Sequence, residues 1–349
     1  MVLDDVLADD PRVAPVAGGL RARGVRRGDV VSWRMANSDV PMLLYRACWR
    51  LGAIAAPVHH LGDTAPPGLV VEDLPDGSPV RAGDAAADDV AVMLFTSGSS
   101  GAPKAVLHTH RALAYKARLM VAVHGLAADD VVLMPAPMAH ISGLLNGVLV
   151  PGAAPFRTVW MPRWDADEAA RVVDDERVTF MVGPPAFFVD LMGASRPPRS
   201  LRLISSGGAG VTPAFCEEAT ATLGARVKRT YGSTEAPTIT TSGPGDPTER
   251  GWTTDGRPVG EAAVRLGPLD ELEVRGPELF VGYADPSQTA AAMTADGWYR
   301  TGDRAAIDEG WVTITGRLTA VIIRGGENIS IAEVEGVLER HPAVRQAVV

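Results

Sequence analysis

The sequence is poor in several features, and each shortage excludes a class of protein. It has only two cysteines in 349 residues. Cys48 and Cys216 lie far apart within apolar stretches, which indicates buried free thiols rather than a disulfide or a metal site. No apolar run approaches the roughly 20 residues that cross a bilayer, and residues 1–10 lack the basic and apolar regions of a signal peptide. We therefore expect a cytoplasmic protein without a membrane span.

Positive charge is also scarce. Lys and Arg number 33 against 42 for Asp and Glu, so the formal net charge is −9. This balance argues against a nucleic-acid-binding surface, which needs clustered basic residues. With 46% apolar and 21% charged residues, the composition is that of a globular protein. The length suffices for one large core or for two domains.

The order of apolar and polar segments predicts an α/β fold. From Val90 onward, strand-like and helix-like segments alternate, which is typical of parallel βαβ units with helices on both faces of a sheet. After Gly260 the segments become short, β-like and rich in glycine, as in a small β subdomain. Residues 59–89, in contrast, are rich in Pro, Gly, Asp and Ala with little periodicity, and we interpret them as a linker.

Residues 96–104, Thr-Ser-Gly-Ser-Ser-Gly-Ala-Pro-Lys, are the most informative stretch. They follow an apolar run that reads as a buried strand. Gly98 and Gly101 let the backbone approach an anion closely, and Lys104 adds a positive charge. Further hydroxyl donors are Thr96, Ser97, Ser99 and Ser100. The spacing fits neither the P-loop of NTPases nor a hydrolase nucleophile elbow. We interpret the stretch as another kind of polyphosphate loop, with a flexible connector as the alternative.

Four further motifs follow in order. They are Tyr-Gly-Ser-Thr-Glu at 231–235, Tyr-Arg-Thr-Gly-Asp at 299–303, Gly-Arg at 316–317 and Arg-Gly-Gly-Glu-Asn-Ile at 324–329. Together with the loop they resemble the adenylate-forming superfamily, which comprises acyl-CoA synthetases, luciferases and peptide-synthetase adenylation domains. The resemblance implies an α/β fold: a large N-terminal domain of mixed and parallel sheets sandwiched by helices, a small β subdomain, and the start of a C-terminal α+β domain.

The resemblance also implies roles for individual residues. Glu235 would hold magnesium between phosphate oxygens, although a solvated loop glutamate is the commoner use of this residue. Asp303 would accept hydrogen bonds from the ribose, with an Asx-turn as the alternative. Arg317 would reach the ribose or the phosphates, or else form a surface ion pair. The remaining nucleotide-binding candidates are Gly208, Ala209, Tyr231, Gly232 and Thr234.

Two segments are candidates for the acyl pocket. His140 resembles the family position that borders the carboxylate and thiol tunnel, but a structural histidine at a helix N-terminus is equally compatible. Residues 182–188 would line the acyl site, although Phe187 and Phe188 are as well suited to the core. No Asp is expected near Phe187 to pair with an amino group. We therefore expect a hydrophobic carboxylic acid as the substrate, whether medium-chain, cyclic or aromatic.

Domain boundaries follow from the same resemblance. Residues 1–316 would form an AMP-binding N-terminal domain, with 59–89 as a shortened linker and 260–316 as a β-rich subdomain. Residues 317–349 would be the truncated beginning of the C-terminal domain. In the family that domain normally carries a lysine that stabilises the charge on the adenylate, and we expect this chain to stop before it.

The resemblance implies an acyl-CoA synthetase that uses ATP, magnesium and CoA. It would activate the acid as an acyl-adenylate and then form acyl-CoA, AMP and pyrophosphate, with Lys104, Glu235 and His140 as catalytic candidates. Two alternatives stay open: transfer of the acyl group to a carrier protein, and a truncated paralogue that binds nucleotide or acyl-adenylate without turnover. The identity of the acid and the existence of a homodimer are also left open.

Overall fold

The protein is represented by a computed structural model that describes residues 1–59, 65, 67–81, 83, 85–96, 103–318, 321–324, 327–330, 337–338, 341, 344 and 347. The α-helices are α1 Leu3–Val6, α2 Val13–Ala22, α3 Asp39–Leu51, α4 His110–His124, α5 Ile141–Leu144, α6 Val150–Ala153, α7 Ala166–Asp175, α8 Pro185–Met192, α9 Pro213–Leu223, α10 Thr248–Thr253 and α11 Pro286–Ala292. A π-helical turn, Leu145–Leu149, joins α5 to α6, and Pro268–Asp270 forms a 3-10 turn.

The strands are β1 Val30–Ser32, β2 Ile54–Ala55, β3 Leu69–Val70, β4 Val90–Thr96, β5 Lys104–Thr109, β6 Val131–Met134, β7 Arg157–Trp160, β8 Phe180–Gly183, β9 Leu203–Gly207, β10 Arg226–Tyr231, β11 Thr240–Thr241, β12 Arg257–Pro258, β13 Ala263–Leu266, β14 Glu271–Arg275, β15 Gly282–Tyr283, β16 Tyr299–Asp308, β17 Trp311–Arg317, β18 Val321–Arg324 and β19 Glu327–Ser330. The α/β class with mixed sheets is confirmed.

The longest helix of the described residues, α4, has clear start and stop signals. At the N-terminus of α4, the Thr109 side chain accepts a hydrogen bond from the backbone N–H of Ala112 at 3.2 Å. At its C-terminus, Gly125 adopts a left-handed conformation with φ of +59°, which closes a helix at little steric cost. These local signals fix where the chain turns back toward β6.

The largest sheet of the described residues, called the central sheet here, has seven strands in the order β12-β11-β10-β9-β8-β6-β7. Strands β6 to β10 run parallel and are connected through helices, as the alternating pattern predicts. Strands β11 and β12 add on antiparallel. Since Thr230 is the register partner of Gly207, β9 and β10 end side by side. Ligands of parallel α/β sheets bind at such carboxyl ends.

A six-stranded sheet has the order β15-β5-β4-β2-β1-β3. Its antiparallel pair β4 and β5 places Thr96 opposite Lys104. The intervening residues 97–102, which include Ser97, Gly98, Ser99, Ser100 and Gly101, lie outside the described residues. The polyphosphate-loop interpretation of these residues therefore stays a prediction.

The described part of 59–89 does more than connect two segments. It contributes the edge strand β3, which pairs parallel with β1. It also buries Val71 and Val80, whose exposed fractions are 1% and 7%. This packing requires glycine in α2, because a Cβ on Gly18 would lie 2.1 Å from the carbonyl oxygen of Ser78. Low periodicity therefore did not mean an unpacked segment.

A four-stranded antiparallel sheet, β13-β14-β16-β17, follows the central sheet along the chain. It lies within the glycine-rich stretch after Gly260 that predicted a small β unit. Cys48 and Cys216 are buried free thiols, as predicted. In the described part of the chain, no helix has both the length and the apolar character needed to cross a bilayer.

Candidate functional site

Three of the candidate nucleotide-binding residues meet in one hydrogen-bonded cluster. Tyr231 ends β10, and its hydroxyl donates to Oδ2 of Asp303 at 2.7 Å. Arg317, at the end of β17, donates from Nε to Oδ1 of the same carboxylate at 2.8 Å. Asp303 and Arg317 are also register partners in the β16–β17 pair. The cluster thus joins the carboxyl end of the central sheet to the four-stranded sheet.

Burial and charge determine which groups of this cluster are protonated and which are accessible to a ligand. Asp303 is 9% exposed, so its carboxylate is largely shielded from bulk water. Burial, and next the negative charge of Asp303, raise the pKa of Tyr231 well above its ordinary value. Tyr231 therefore stays protonated at neutral pH and can only donate to the carboxylate. Its partner Arg317 has a side chain that is 66% exposed, which leaves the guanidinium accessible to a ligand.

Glu235 lies in a second cluster, four residues after Tyr231. Glu235 is only 8% exposed. Its Oε1 accepts a hydrogen bond from the Tyr283 hydroxyl at 2.7 Å. The Lys104 Nζ lies 5.3 Å from the centre of the Tyr283 ring, within range of a cation–π contact. Burial, followed by the charge of Glu235, raises the pKa of Tyr283. Tyr283 therefore stays protonated and links the two charged groups.

The backbone around Glu235 is held from β5. His108 is fully buried, and its Nε2 lies 2.7 Å from the carbonyl oxygen of Thr234. Burial lowers the pKa of His108 to about 4, so the ring is neutral at pH 7. Because a carbonyl only accepts, Nε2 carries the proton of that hydrogen bond. The backbone N–H of Phe280 also donates to the Glu235 carbonyl at 2.8 Å.

Sequence reasoning missed His108 and gave no role to Tyr283. A signal for His108 was present, because side chains of a strand alternate between faces and His108 is four residues after Lys104. Both residues therefore point to the same face of β5. Tyr283 lies outside the motifs given above, and its contact with Glu235 joins residues that are 48 positions apart in the chain.

The other predicted residues occupy separate positions. Gly208 and Ala209 are exposed directly after β9, and Gly208 has a φ of +78°, which suits glycine. His140 is the residue before α5 and makes no side-chain capping bond. Its exposed ring lies 5.3 Å from the ring of His59. Partial desolvation, and next the nearby His59, lower the pKa of His140.

Residues 182–188, which we expected to line the acyl pocket, have two different environments. Phe188 is fully buried in a hydrophobic cluster with Phe215, so it serves the core. Phe187 is partly exposed and packs on Trp164 with ring centres 4.4 Å apart. The expectation that no Asp stands near Phe187 is wrong. Asp190 follows one helical turn later in α8, and its Oδ2 accepts from the Trp164 indole at 2.9 Å.

The donor set fits magnesium that is shared with a substrate. No group of three or more His, Cys, Asp or Glu side chains suitable for a metal occurs among the described residues. Magnesium is commonly bound by one or two carboxylates together with substrate phosphates and water. Glu235 offers one such carboxylate, and its hydrogen-bond partner Tyr283 also lies against Lys104. A metal here would be held jointly by Glu235 and phosphate oxygens.

Comparisons with known proteins show the family of this chain. Residues 63–284 match the family model described as AMP-binding enzyme. A medium-chain fatty-acid–CoA ligase from Escherichia coli (strain K12) is 36% identical over 75% of this chain and 49% of its own length. An indoleacetate–CoA ligase from Aromatoleum aromaticum is 31% identical over 97% of this chain and 78% of its own length.

A solved structure also matches. The O-succinylbenzoate coenzyme A synthetase MenE from Bacillus subtilis, in complex with ATP and a magnesium ion, aligns with a TM-score of 0.84 at 25% identity, covering 96% of this chain and 79% of MenE. The chain spans about half the length of the Escherichia coli relative. Since the family model covers more than half of the chain, this protein belongs to the AMP-binding enzyme family.

Proposed function

We propose that this chain uses ATP to activate a hydrophobic carboxylic acid as an acyl-adenylate and then transfers the acyl group to CoA. The observation that carries the proposal is the meeting of Tyr231, Asp303 and Arg317 at the carboxyl end of β10. Glu235 and Lys104 stand in the neighbouring cluster. The shielded carboxylate of Asp303 suits a ribose, the carboxylate of Glu235 suits magnesium, and the ammonium group of Lys104 suits phosphate oxygens. Together they suit a nucleotide polyphosphate.

Asp303 would bind the ribose. Its two carboxylate oxygens are oriented by Tyr231 and Arg317, and a carboxylate can accept from two ribose hydroxyls at once. Gly207 and Gly208 would lie along the adenine, because β9 ends beside β10. A Cβ on Gly207 would lie 2.2 Å from the carbonyl oxygen of Thr230, so only glycine fits at that close approach.

The phosphates would lie at the β4–β5 hairpin. Lys104 would neutralise phosphate charge, with Thr96 and the backbone N–H groups of 97–102 as further donors. Glu235 would hold magnesium, which neutralises charge on the phosphate oxygens when it is bound. Fixed positive charge and oriented N–H groups lower the barrier most where negative charge develops in the transition state.

The chemistry has two displacements. In the first, a carboxylate oxygen of the acid attacks the α-phosphorus of ATP, the bond from that phosphorus to the bridging oxygen breaks, and pyrophosphate leaves. In the second, the thiolate of CoA attacks the acyl carbonyl carbon, and AMP leaves as the C–O bond breaks.

An apolar acid is the substrate class that we propose. Phe187 and Trp164 present a partly exposed aromatic pair, and the Asp190 carboxylate beside them is engaged by the Trp164 indole rather than free for an amino group. The medium-chain fatty-acid and indoleacetate ligases named above act on apolar acids, as their names state. We also propose that 1–316 forms the AMP-binding unit and that 317–349 begins a C-terminal domain.

Mass spectrometry of product mixtures tests the proposal. The chain is incubated with ATP, magnesium and CoA, together with octanoate, indoleacetate, benzoate or alanine. We expect acyl-AMP and acyl-CoA with at least one apolar acid and none with alanine. At subsaturating ATP, Asp303→Ala should form both products at least about tenfold more slowly. Acyl-AMP without acyl-CoA would favour a carrier protein as the acceptor. Nucleotide binding without either product would favour a non-catalytic paralogue.

A further inference from the structure

Lys116 and Glu278 form an ion pair in the interior of the protein. Lys116 lies in α4, and Glu278 precedes β15. Both side chains are 0% exposed, and Nζ lies 3.2 Å from Oε1. The second carboxylate oxygen, Oε2, is buried without a hydrogen-bond partner among the described residues. Such a pair is expensive to bury, and two apolar side chains are often as stable in its place. Stability alone therefore does not explain why the protein has this ion pair.

The third partner of the pair suggests a further role. Lys116 Nζ also donates to the backbone carbonyl of Thr238 at 2.6 Å. Thr238 ends the segment 231–238, which carries Glu235. It has a φ of +42°, an unusual conformation for a β-branched residue. Strained backbone of this kind persists only where its surroundings enforce it. The ammonium group of Lys116 is a part of those surroundings.

The segment 231–238 folds back on itself. A Cβ on Gly232 would lie 2.3 Å from the backbone nitrogen of Thr238, so the two ends of the segment are in contact. His108 holds the middle of the segment at Thr234. Lys116 therefore fixes the far end of a closed loop whose only buried carboxylate side chain is Glu235.

The pair also connects Glu235 to its tyrosine partner. Glu278 lies four residues before Gly282–Tyr283, the strand that carries the Tyr283 hydroxyl to Glu235. Burial lowers the pKa of Lys116 to about 8, while the charge of Glu278 acts in the opposite direction. The lysine is therefore mostly protonated at pH 7 and keeps both of its acceptors. One ammonium group thus ties together the two segments that meet at Glu235.

We propose that Lys116, with Glu278 as its counter-charge, is a positioning residue for Glu235: by anchoring the Thr238 carbonyl, it sets where that carboxylate meets the magnesium–nucleotide complex. The inference rests on the proposed function of Glu235. Substitution of groups that orient a metal-binding side chain commonly lowers metal affinity or activity by about 10- to 100-fold. The effect is expected on the requirement for magnesium, and not on the ribose contact at Asp303.

A double substitution separates positioning from stability. Lys116→Met with Glu278→Leu removes both buried charges together, so it leaves neither charge unpaired. We expect this variant to fold, to bind AMP without magnesium as the parent does, and to need about tenfold more magnesium for half-maximal adenylation. Lys116→Gln with Glu278→Gln is the second variant, should the apolar pair fail to fold, and the same change is expected.

Lys228 supplies a matched control. It is a buried lysine, 2% exposed, whose Nζ donates to the carbonyls of Val123 and Ser242. Neither carbonyl belongs to segment 231–238. Lys228→Met removes the same kind of group from the same protein, and we expect it to leave the magnesium requirement unchanged. A parallel rise in both variants would mean a general loss of stability and would overturn the inference.

Amide hydrogen exchange keeps this test separate from the test of the proposed function. We expect faster exchange at 232–238 in the double variant and parental exchange there in Lys228→Met. If the parent chain forms no acyl-adenylate, the proposed function fails, and exchange still decides whether Lys116 anchors the segment. A folded double variant with the parental magnesium requirement and parental exchange at 232–238 would show that the pair is only structural.

Discussion

Replacing Asp303 should weaken AMP binding without unfolding the protein. Both carboxylate oxygens are already oriented, by Tyr231 at 2.7 Å and by Arg317 at 2.8 Å. The 9% exposure of Asp303 limits the water that could take over its hydrogen bonds. Loss of charge-assisted hydrogen bonds at such a site costs about 1.5–3 kcal/mol. The dissociation constant of AMP should therefore rise by roughly 10- to 150-fold in Asp303→Ala.

Asp303→Asn refines the experiment because it keeps the side-chain shape. The amide oxygen can still accept from Tyr231, but the amide NH₂ would then face Arg317 Nε, and both of these groups are donors. We expect AMP affinity between that of the parent and that of Asp303→Ala. Tyr231→Phe removes the orienting hydroxyl and leaves the carboxylate, so it should lower AMP affinity by less than Asp303→Ala.

Isothermal titration calorimetry with AMP in the absence of magnesium is the suitable assay, since it reports the ribose contact and not the polyphosphate contacts. Thermal unfolding of each variant serves as the folding control, because the change also leaves the Tyr231 hydroxyl without its acceptor. Parental AMP affinity in a folded Asp303→Ala variant would refute the assignment of Asp303 to the ribose.

Three further outcomes are expected. Tyr283→Phe should raise the magnesium requirement of adenylation several-fold, because Glu235 loses the hydroxyl that orients it; an unchanged magnesium titration would remove Tyr283 from the site. Gly207→Ala should lower the unfolding free energy by about 1–3 kcal/mol in denaturant titrations, since its Cβ would overlap the Thr230 carbonyl; parental stability would contradict the close approach. Buried His108 has its folded pKa lowered to about 4, below the unfolded value of about 6.5. The unfolded state therefore binds the proton first, and stability should fall as pH drops from about 6.5 to about 4, with His108 contributing up to about 3 kcal/mol. Denaturant titrations of His108→Gln should show a shallower pH dependence, and an identical slope would contradict this.

The fold class could be predicted from the sequence where the signals were local. The alternation from Val90 onward predicted parallel strands joined by helices. The structure has them from β6 to β10, but β4 and β5 form an antiparallel pair. Segment 59–89 was harder, because its packing depends on Gly18 and Gly19, which lie far away along the chain. A glycine that makes room for another backbone looks the same in sequence as one that ends a helix.

The site was predictable only where a residue type and its motif coincide. Asp303, Arg317 and Tyr231 stood in motifs, and the structure brings them into contact. The bond from His108 to Thr234 joins residues 126 positions apart, and that from Lys116 to Glu278 joins residues 162 positions apart. No periodicity encodes such pairings, because they arise only when separate elements pack together.

Acid-dependent exchange of radiolabel from pyrophosphate into ATP tests the central claim most directly, since it requires reversible formation of the acyl-adenylate and no acceptor. With subsaturating ATP, magnesium and labelled pyrophosphate, we expect exchange that rises above the acid-free background for at least one apolar acid and that is at least about tenfold slower in Asp303→Ala. No rise with any medium-chain, cyclic or aromatic acid, or parental exchange in a folded Asp303→Ala variant, would contradict acyl-adenylate formation at this site.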